Sequence, residues 1–492
     1  MTGFEVAWQS RSDIWRYVAA VSVLIALAVL LALLPLSWAA GLVLGGLGAV
    51  LALVHPELAV VLLVLAIPFG SLRQVSLGPI RLGATDLFVI LLLAAWLMRR
   101  IARREFRLYW PPLASPISAF LMVLVLSLLV TTSVAHSAKE IAKWAEVLVV
   151  YLFVANESDA RWTRVIIAAL LGVGALVALH GIYQFLFRVG PEGFVLFGRY
   201  MRAYGTFEQP NPYAGYLGLS LPVAVGLLGT LLLPKRDRVS GCWLVWAGLC
   251  GALMFAALVM SWSRGGWFGF TAATAAMVLA MILRSGRTAM LVAALALLLA
   301  YGVLAGGLSL VPSSLIQRIG DFAPYLGWVD VRGVEITDAN FSVLERMAHW
   351  QAALGMWTDH PWLGVGIGNY EAVYPSYALP LWPLPLGHAH NYYLNIAAET
   401  GLLGLAVYLF LWGTALLQVW RATRQASGWA LGIALAAFGM LIHLAFHNLF
   451  DNLFVHAMYL QVAILLGIVA ATMRDTTVQS SVPSVRTVGG LC

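Results

Sequence analysis

Apolar stretches of about 20 residues recur along almost the whole chain, and they constrain the fold more than any other feature of the sequence. Of the 492 residues, 61% are hydrophobic and only 10% are charged, whereas roughly a quarter of residues are charged in an average soluble protein. A stretch of that length spans the hydrocarbon core as a helix, and the stretches lack the alternation of barrel strands. The sequence therefore predicts an all-α polytopic membrane protein.

Hydropathy predicts about 14 membrane-spanning helices, with roughly 12 to 14 as the range because the first three stretches are the weakest. Their approximate limits are 15–35, 38–54, 57–69, 84–98, 115–132, 141–155, 163–187, 212–233, 242–262, 266–283, 288–311, 392–419, 428–447 and 453–472. The apolar run that follows the charged N-terminal residues has no small-residue cleavage site after it. We therefore interpret it as a retained helix.

Basic residues cluster in the loops after the even-numbered spans, which predicts that both termini are cytoplasmic. These loops contain Arg99, Arg100, Arg103, Arg104 and Arg107, then Lys235, Arg236 and Arg238, then Arg284 and Arg287, and last Arg421 and Arg424. Because topology alone accounts for them, the formal net charge of +7 does not indicate nucleic-acid binding. The opposite, extracytoplasmic side then receives 189–211, the "SWSRGGW" turn, 312–390 and the "FHNLFDN" turn.

The chain divides into four predicted parts. Residues 1–311 are N-terminal transmembrane helices, 312–390 form a long extracytoplasmic lid loop, 391–474 are C-terminal transmembrane helices, and 475–492 form a cytoplasmic, disordered tail. Apolar residues recur at helical spacing from Val343 to Trp357, which predicts an amphipathic helix resting on the membrane or on the bundle. Pro361 is expected to end that helix, and the glycines of "GVGIG" to loosen the chain after it.

Two extracytoplasmic arginines are candidate anion ligands. Arg202 precedes a Pro-Asn-Pro break, and Arg264 opens a span beside two glycines whose backbone amides can approach a ligand. Guanidinium groups and helix N-termini both suit phosphate or pyrophosphate. The alternative is anchoring to lipid headgroups, which stays open for Arg264. Arg199 and Lys143 are secondary substrate-binding candidates for which anchoring is favoured, Lys143 because Trp144 follows it.

His388 and His390 precede the twelfth span, and two interpretations are open for them. With His443, His447 and Asp451 they could bind a metal, although the sequence has no Asp-x-Asp pair or carboxylate cluster of the kind a hard cation needs. We favour a general base without a metal, because a neutral imidazole can accept a hydroxyl proton near pH 7. A purely structural histidine beside a helix cap at Asn391 is the third possibility.

Asn391, Asn395 and Glu399 recur every four residues and so lie on one face of the twelfth span. Glu399 lies roughly 12 Å deeper than Asn391 at 1.5 Å per residue. A carboxylate at that depth needs a partner or a wet cavity, so it either supports the histidine region or holds two helices together. Gly401 and Gly404 are expected to allow close packing between helices.

Four separated blocks resemble those of the bacterial O-antigen ligases and the related O-antigen polymerases. "HNYYLNIAAETGLLG" is similar to their His-Asn, nine residues, Gly-x-x-Gly signature, here His390, Asn391, Gly401 and Gly404. "RAYGTFEQPNPYAGYLGLSLP", "SWSRGGWFG" and "WTDHPWLGVGIGNY" resemble other blocks of that superfamily in the same order. The resemblance covers about residues 200–460. It departs from the family in about two extra N-terminal spans.

The resemblance implies a fold akin to the GT-C membrane glycosyltransferases and a metal-independent, inverting transfer that uses no cofactor. The implied donor is a glycan on undecaprenyl pyrophosphate, and the acceptor is lipid A-core in a ligase or another lipid-linked glycan in a polymerase. The site would face the periplasm in a bacterial inner membrane. His390 matches the family's catalytic histidine, Arg264 and Arg202 its functional arginines, and Asp451 the acidic residue between its last two spans.

A transporter for a lipid-linked sugar is the alternative from a different functional class. A transporter would place charged residues or broken helices near mid-membrane and would commonly show an internal repeat. We detect no repeat in the sequence, and the informative polar residues gather on one side. This asymmetry favours an enzyme.

Overall fold

The computed structural model describes residues 54–481 except 71–73, 78–79, 234–238, 305–311, 321–329 and 338–339, with a few isolated positions before residue 54. Fifteen helices lie within these ranges, and we number them in chain order. They are α1 Pro56–Ala66, α2 Ala84–Arg103, α3 Ala114–Leu126, α4 Val134–Glu157, α5 Ala160–Phe187, α6 Pro210–Gly229, α7 Gly241–Met260, α8 Arg264–Ile282, α9 Gly286–Leu304, α10 Ser313–Gly320, α11 Phe341–Asp359, α12 Tyr370–Val373, α13 Tyr392–Gln425, α14 Gly428–His447 and α15 Met458–Ser481.

The helical content confirms the all-α membrane fold. Seven helices of the described chain are long and apolar enough to cross a membrane: α5, α6 with its 3₁₀ extension, α7, α8, α13, α14 and α15. The third to fourteenth predicted spans each coincide with a helix, whereas the first two lie outside the described residues. Two short antiparallel hairpins, which the sequence did not predict, pair Gln74–Leu77 (β1) with Ile80–Gly83 (β2) and Val195–Leu196 (β3) with Tyr200–Met201 (β4).

The core lies between α6, α8 and α14, with α4 packed on α15 and α5 on α7. Small residues let the helices approach closely: a methyl group added at Gly226 of α6 would lie 2.3 Å from the carbonyl oxygen of Gly432 in α14. Trp144 is 2% exposed and stacks on Phe454 at 5.2 Å, so the interpretation of this tryptophan as an interface anchor was wrong.

The helix α13 is broken at Gly401, whose φ of 65° and ψ of −163° are not helical. The break frees backbone groups, and the chain that follows α11 satisfies them. Val365 N donates to Ala398 O at 2.9 Å, and Leu402 N donates to Pro361 O at 2.8 Å. The expected role of Gly401 in packing between helices is thereby corrected, because the close neighbour is the backbone of Trp362 in this loop.

The glycines of "GVGIG" fix the chain instead of loosening it. Gly364, Gly366 and Gly368 all have positive φ, and a methyl group on Gly364 would lie 2.3 Å from the backbone carbon of Glu399. The Asn369 side chain then accepts from Ser133 N at 2.7 Å and from Thr132 Oγ1 at 2.9 Å. Residues 361–369 therefore connect the start of α4 to the break in α13.

We expect Gly401→Ala to lower the stability of the protein by more than about 2 kcal/mol. An L-residue is strained in this conformation, and its Cβ would lie 2.2–2.3 Å from the carbonyl carbon and oxygen of Trp362. Gly413→Ala in the same helix is the matched control, since its Cβ would meet nothing within 4 Å. Thermal unfolding of the purified variants in detergent measures the difference, and equal midpoints would contradict it.

A helix, α11, lies where the amphipathic helix was predicted; it ends at Asp359 just before Pro361 and packs on α13. It is preceded by α10 and followed by the short α12, so the stretch 312–390 contains three helices in its described part. At the other end, α15 continues to Ser481, beyond the predicted boundary at 474, and residues 482–492 lie outside the described range.

Candidate active site

Backbone hydrogen bonds join the ends of helices that are distant in sequence. Ala203 N donates to Met260 O at 2.9 Å, which joins the loop before α6 to the end of α7. Tyr392 N donates to Asn448 O at 2.8 Å, which joins the start of α13 to the end of α14. These contacts place the Arg202 block beside the Arg264 block, and the His390 block beside the end of α14.

Asn391 caps α13, because its Oδ1 accepts from the backbone N–H groups of Tyr393 at 3.0 Å and Leu394 at 3.1 Å. The cap holds the preceding residue, His390, at the mouth of the helix in a left-handed conformation with a φ of 52°. The His390 N–H donates to Nδ1 of His388 at 3.0 Å, and the His390 carbonyl accepts from Nε1 of Trp350 at 3.4 Å. The cap at Asn391 and the hydrogen bonds of the His390 N–H and carbonyl groups thus fix the backbone at His390.

Both ring nitrogens of His390 are buried, and neither of them has a hydrogen-bond partner within the described chain. A buried polar atom without a partner is uncommon in proteins and is a recognised feature of reactive sites. Nδ1 lies 3.8 Å from Oδ1 of Asp451. His349 packs edge-on against the ring at 5.5 Å between centroids, and burial, with His390 beside it, lowers the pKa of His349 to about 4. This neighbour therefore stays neutral at pH 7.

Asp451 lies in the loop between α14 and α15 and is 7% exposed. Burial on its own would raise the pKa of its carboxyl group, but His390, His388 and Arg346 outweigh it and hold that pKa well below the usual range. Asp451 is therefore an ionised carboxylate beside His390. Such a carboxylate orients a neighbouring imidazole and stabilises its protonated form.

A cavity of about 220 Å³ opens next to Asp451, and four guanidinium groups line it. Its wall includes Arg202, Arg264, Arg318, Arg346, His447, Asp451, Trp350 and Phe450. His390 adjoins the cavity through Asp451 and Trp350. Four cations with one carboxylate make this a site for a ligand with several negative charges.

Protein contacts hold the arginines in place around the cavity. Arg202 donates through Nε to Ser261 O at 3.0 Å and through Nη2 to Oδ1 of Asn211, in the Pro-Asn-Pro break, at 2.9 Å. Burial and the charges of Arg318, Arg346 and Arg264 lower the pKa of Arg202 to about 9, which leaves it protonated at pH 7. Mutual repulsion of this kind is relieved when an anion binds between the groups.

Arg264 is the first residue of α8, whose N-cap Ser263 accepts from Gly266 N at 3.4 Å. Nη2 of Arg264 lies 3.4 Å from Oγ of Ser342 on α11. The guanidinium thus stands at a helix N-terminus, where the helix dipole also favours an anion. The two arginines selected from the sequence, Arg202 and Arg264, line the same cavity.

Sequence reasoning missed Arg318 and Arg346. Arg346 donates from α11 through Nη1 to Ser342 O at 2.8 Å and through Nε to Phe450 O at 3.2 Å, so it links α11 to the Asp451 loop. The sequence did contain an indication of Arg346, because this residue lies one helical turn before Trp350 on the same face of a predicted helix. Arg318 of α10 lies near Trp262 O, at 3.4–3.5 Å from Nε and Nη2, in a segment without a distinguishing motif.

The structure places the remaining candidates elsewhere. Arg199 stands over the Tyr200 ring at 5.3 Å, and Lys143 pairs with Glu140 at 2.6 Å. Glu399 is 4% exposed and accepts from Tyr370 N at 3.0 Å, which makes it a support for the loop after α11. None of these three lines the arginine cavity as the described residues form it.

His388, His390 and Asp451 could together hold a metal ion, because one ligand atom from each lies within 4.8 Å of the others. His388 Nε2 is 3.8 Å from Oδ1 of Asp451, while its Nδ1 already accepts from His390 N. Burial and the neighbouring His390 lower the pKa of His388 to about 3, so it is neutral, as a metal ligand must be. His443 and His447, the other candidates of the metal interpretation, pair with each other instead.

Residues 249–409 match the sequence model of the family described as O-antigen ligase. The match covers about a third of the chain and includes Arg264, Arg318, Arg346 and His390. Arg202 and Asp451 lie outside it. No curated protein matches the chain significantly. The resemblance inferred from the sequence blocks is confirmed over the matched segment.

Proposed function

From the membership of this segment in the O-antigen ligase superfamily, we propose that the protein is a membrane glycosyltransferase. It transfers a glycan from undecaprenyl pyrophosphate to an acceptor hydroxyl at the periplasmic face of a bacterial inner membrane. The preferred acceptor is lipid A-core, which makes the protein a ligase. A polymerase that elongates another lipid-linked glycan is the alternative within the superfamily.

The observation that carries this proposal is the cavity with four arginines beside a histidine whose buried ring nitrogens have no hydrogen-bond partner among the described residues. A pyrophosphate diester offers several charged oxygens, which the forked N–H groups of guanidinium can bind in pairs. As the glycosyl bond breaks, negative charge grows on the leaving pyrophosphate. Guanidinium groups already fixed around it stabilise that charge, which is the largest contribution in many enzymes.

His390 is the general base of the proposed reaction. We assign the ring proton to Nδ1 because the Asp451 carboxylate lies 3.8 Å from it, and this leaves Nε2 to accept a proton. The acceptor hydroxyl loses its proton to Nε2 as its oxygen bonds to the anomeric carbon. The bond from that carbon to the pyrophosphate oxygen breaks on the opposite face, which inverts the anomeric configuration. Undecaprenyl pyrophosphate leaves, and Asp451 stabilises the imidazolium until the proton passes to water.

We expect purified protein in proteoliposomes to form a covalent glycan product from lipid-linked donor and acceptor, with its rate unchanged after exhaustive chelation by EDTA. The four guanidinium groups supply the positive charge that a metal supplies in other transferases. Mass spectrometry of the extracted lipids measures the product. Movement of donor across the membrane without product would indicate a transporter. Inhibition by EDTA that a divalent cation reverses would instead indicate a metal at His388, His390 and Asp451.

A further inference from the structure

Two histidines lie one helical turn apart at the cavity end of α14. His443 is 0% and His447 1% exposed, and Nε2 of His443 lies 3.4 Å from Nδ1 of His447. Two glycines make room for His443: an added methyl group would lie 1.9 Å from its Cε1 at Gly218 and 2.9 Å from its Nδ1 at Gly269. A buried imidazole in a membrane-spanning helix is costly unless it has a role.

The surroundings of His443 determine which ring nitrogens carry protons. Nδ1 of His443 is buried beside Gly269 of α8 and makes no hydrogen bond of full geometry within the described chain. A proton on that atom would be a poorly paired buried donor, whereas a proton on Nε2 has Nδ1 of His447 at 3.4 Å as its acceptor. The neutral His443 therefore carries its proton on Nε2. Because Nδ1 of His447 then accepts, the neutral His447 carries its own proton on Nε2.

The Nε2 edge of the His447 ring lies against Gly265, another residue of the cavity wall. His447 lines that cavity, and a methyl group added at Gly265 would lie 3.3 Å from its Nε2 and Cδ2. Gly265 follows Arg264 in the first turn of α8, where backbone N–H groups and the helix dipole favour an anion. The Nε2 edge of the His447 ring therefore lies beside an anion-favouring helix N-terminus that lines the arginine cavity.

We propose that His447 is a further pyrophosphate-binding residue that presents a neutral Nε2–H donor to the anion, and that His443 is the positioning residue that fixes this tautomer. The inference rests on the proposed function, since it names another ligand of the same site. A neutral donor adds a directed hydrogen bond without adding a fifth positive charge to four that already repel one another.

The test is binding of inorganic pyrophosphate to the purified full-length protein, measured by isothermal titration calorimetry. We expect His447→Ala and His447→Asn to weaken binding by about tenfold to a hundredfold, as loss of a hydrogen bond to a charged group does. His447→Gln should stay within a few-fold of wild type, because its amide can place an N–H near the position of Nε2. His443→Phe, which keeps a ring but lacks the donor, should weaken binding several-fold.

His180→Ala is the matched control, because His180 makes the same pairing at i and i+4, with Gln184, outside the cavity. It should bind pyrophosphate like wild type. In transfer assays His447→Ala and His447→Asn should raise KM for the donor and leave KM for the acceptor unchanged, which a general loss of folding would not do. Thermal unfolding identifies any variant that fails to fold. In that case the pyrophosphate affinity of His447→Gln decides whether the donor hydrogen bond contributes to binding.

The outcomes separate this inference from the proposed function. Pyrophosphate binding by wild type together with wild-type affinity in all His447 variants would overturn the role of His447 and leave the transferase intact. Equal losses in the glutamine and alanine variants would overturn the donor hydrogen bond. Absence of pyrophosphate binding in the wild type would contradict the donor site itself.

Discussion

His390→Ala is expected to lower the rate of glycan transfer by about 10²- to 10⁴-fold while the protein stays folded and still binds pyrophosphate. The range is the usual contribution of a positioned general base. Donor binding should survive because the arginines that line the cavity make their contacts with Ser261, Asn211, Ser342 and Phe450, not with the His390 ring. Initial rates with purified donor and acceptor measure the first effect, and pyrophosphate titration measures the second.

His360→Ala is the matched control for His390→Ala. His360 is exposed at the end of α11, so its removal also deletes a histidine from the segment 312–390 without touching the site. We expect its rate to equal that of wild type. Turnover of His390→Ala at the rate of the His360 control would remove His390 from the mechanism.

Arg264→Lys has the second-largest expected effect, a loss of about tenfold to a hundredfold in kcat/KM for the donor. An ammonium group keeps the charge, but it cannot reproduce the paired N–H groups of a guanidinium at the N-terminus of α8. A hydrogen bond to a charged group contributes about 1.5–3 kcal/mol, which corresponds to that range. The rate and the affinity for donor are both measured.

Arg199→Lys provides the control for charge and length, since Arg199 stands over the Tyr200 ring and does not line the cavity in the described structure. Its kcat/KM should match wild type. If Arg264→Lys kept both donor affinity and rate, the proposal that Arg264 binds pyrophosphate would be contradicted.

The membrane-spanning helices were predictable from the sequence because each of them is encoded locally by a run of apolar residues, whereas the short helices α10 and α12 were not predicted. The site was predictable only in part. Arg202 and Arg264 stand next to visible chain breaks, whereas the contact of Arg346 with Phe450 joins residues 104 positions apart. No local pattern encodes such a pairing. Tertiary packing likewise decided that Trp144 is a core residue.

The conformation of the glycine-rich loop also could not be predicted from the sequence. Glycines in "GVGIG" are compatible both with a loose chain and with close backbone contact, and composition cannot distinguish the two. The choice depends on what lies opposite, here the backbone at Ala398 and Glu399. A carboxylate at that depth requires a partner, so Glu399 could be predicted as a buried support. The requirement does not identify the partner, which therefore could not be predicted.

The break at Gly401 makes the first part of α13, residues 392–400, a rod of only about 13 Å. That rod is held at its inner end by the loop 361–369 and at its outer end by the cap at Asn391 and the contact with Asn448. A full-length span adjusts its tilt when the lipid acyl chains change in length. Because this short rod is fastened to protein at both ends, we expect the distance between His390 and the arginine cavity to stay the same in bilayers of different thickness.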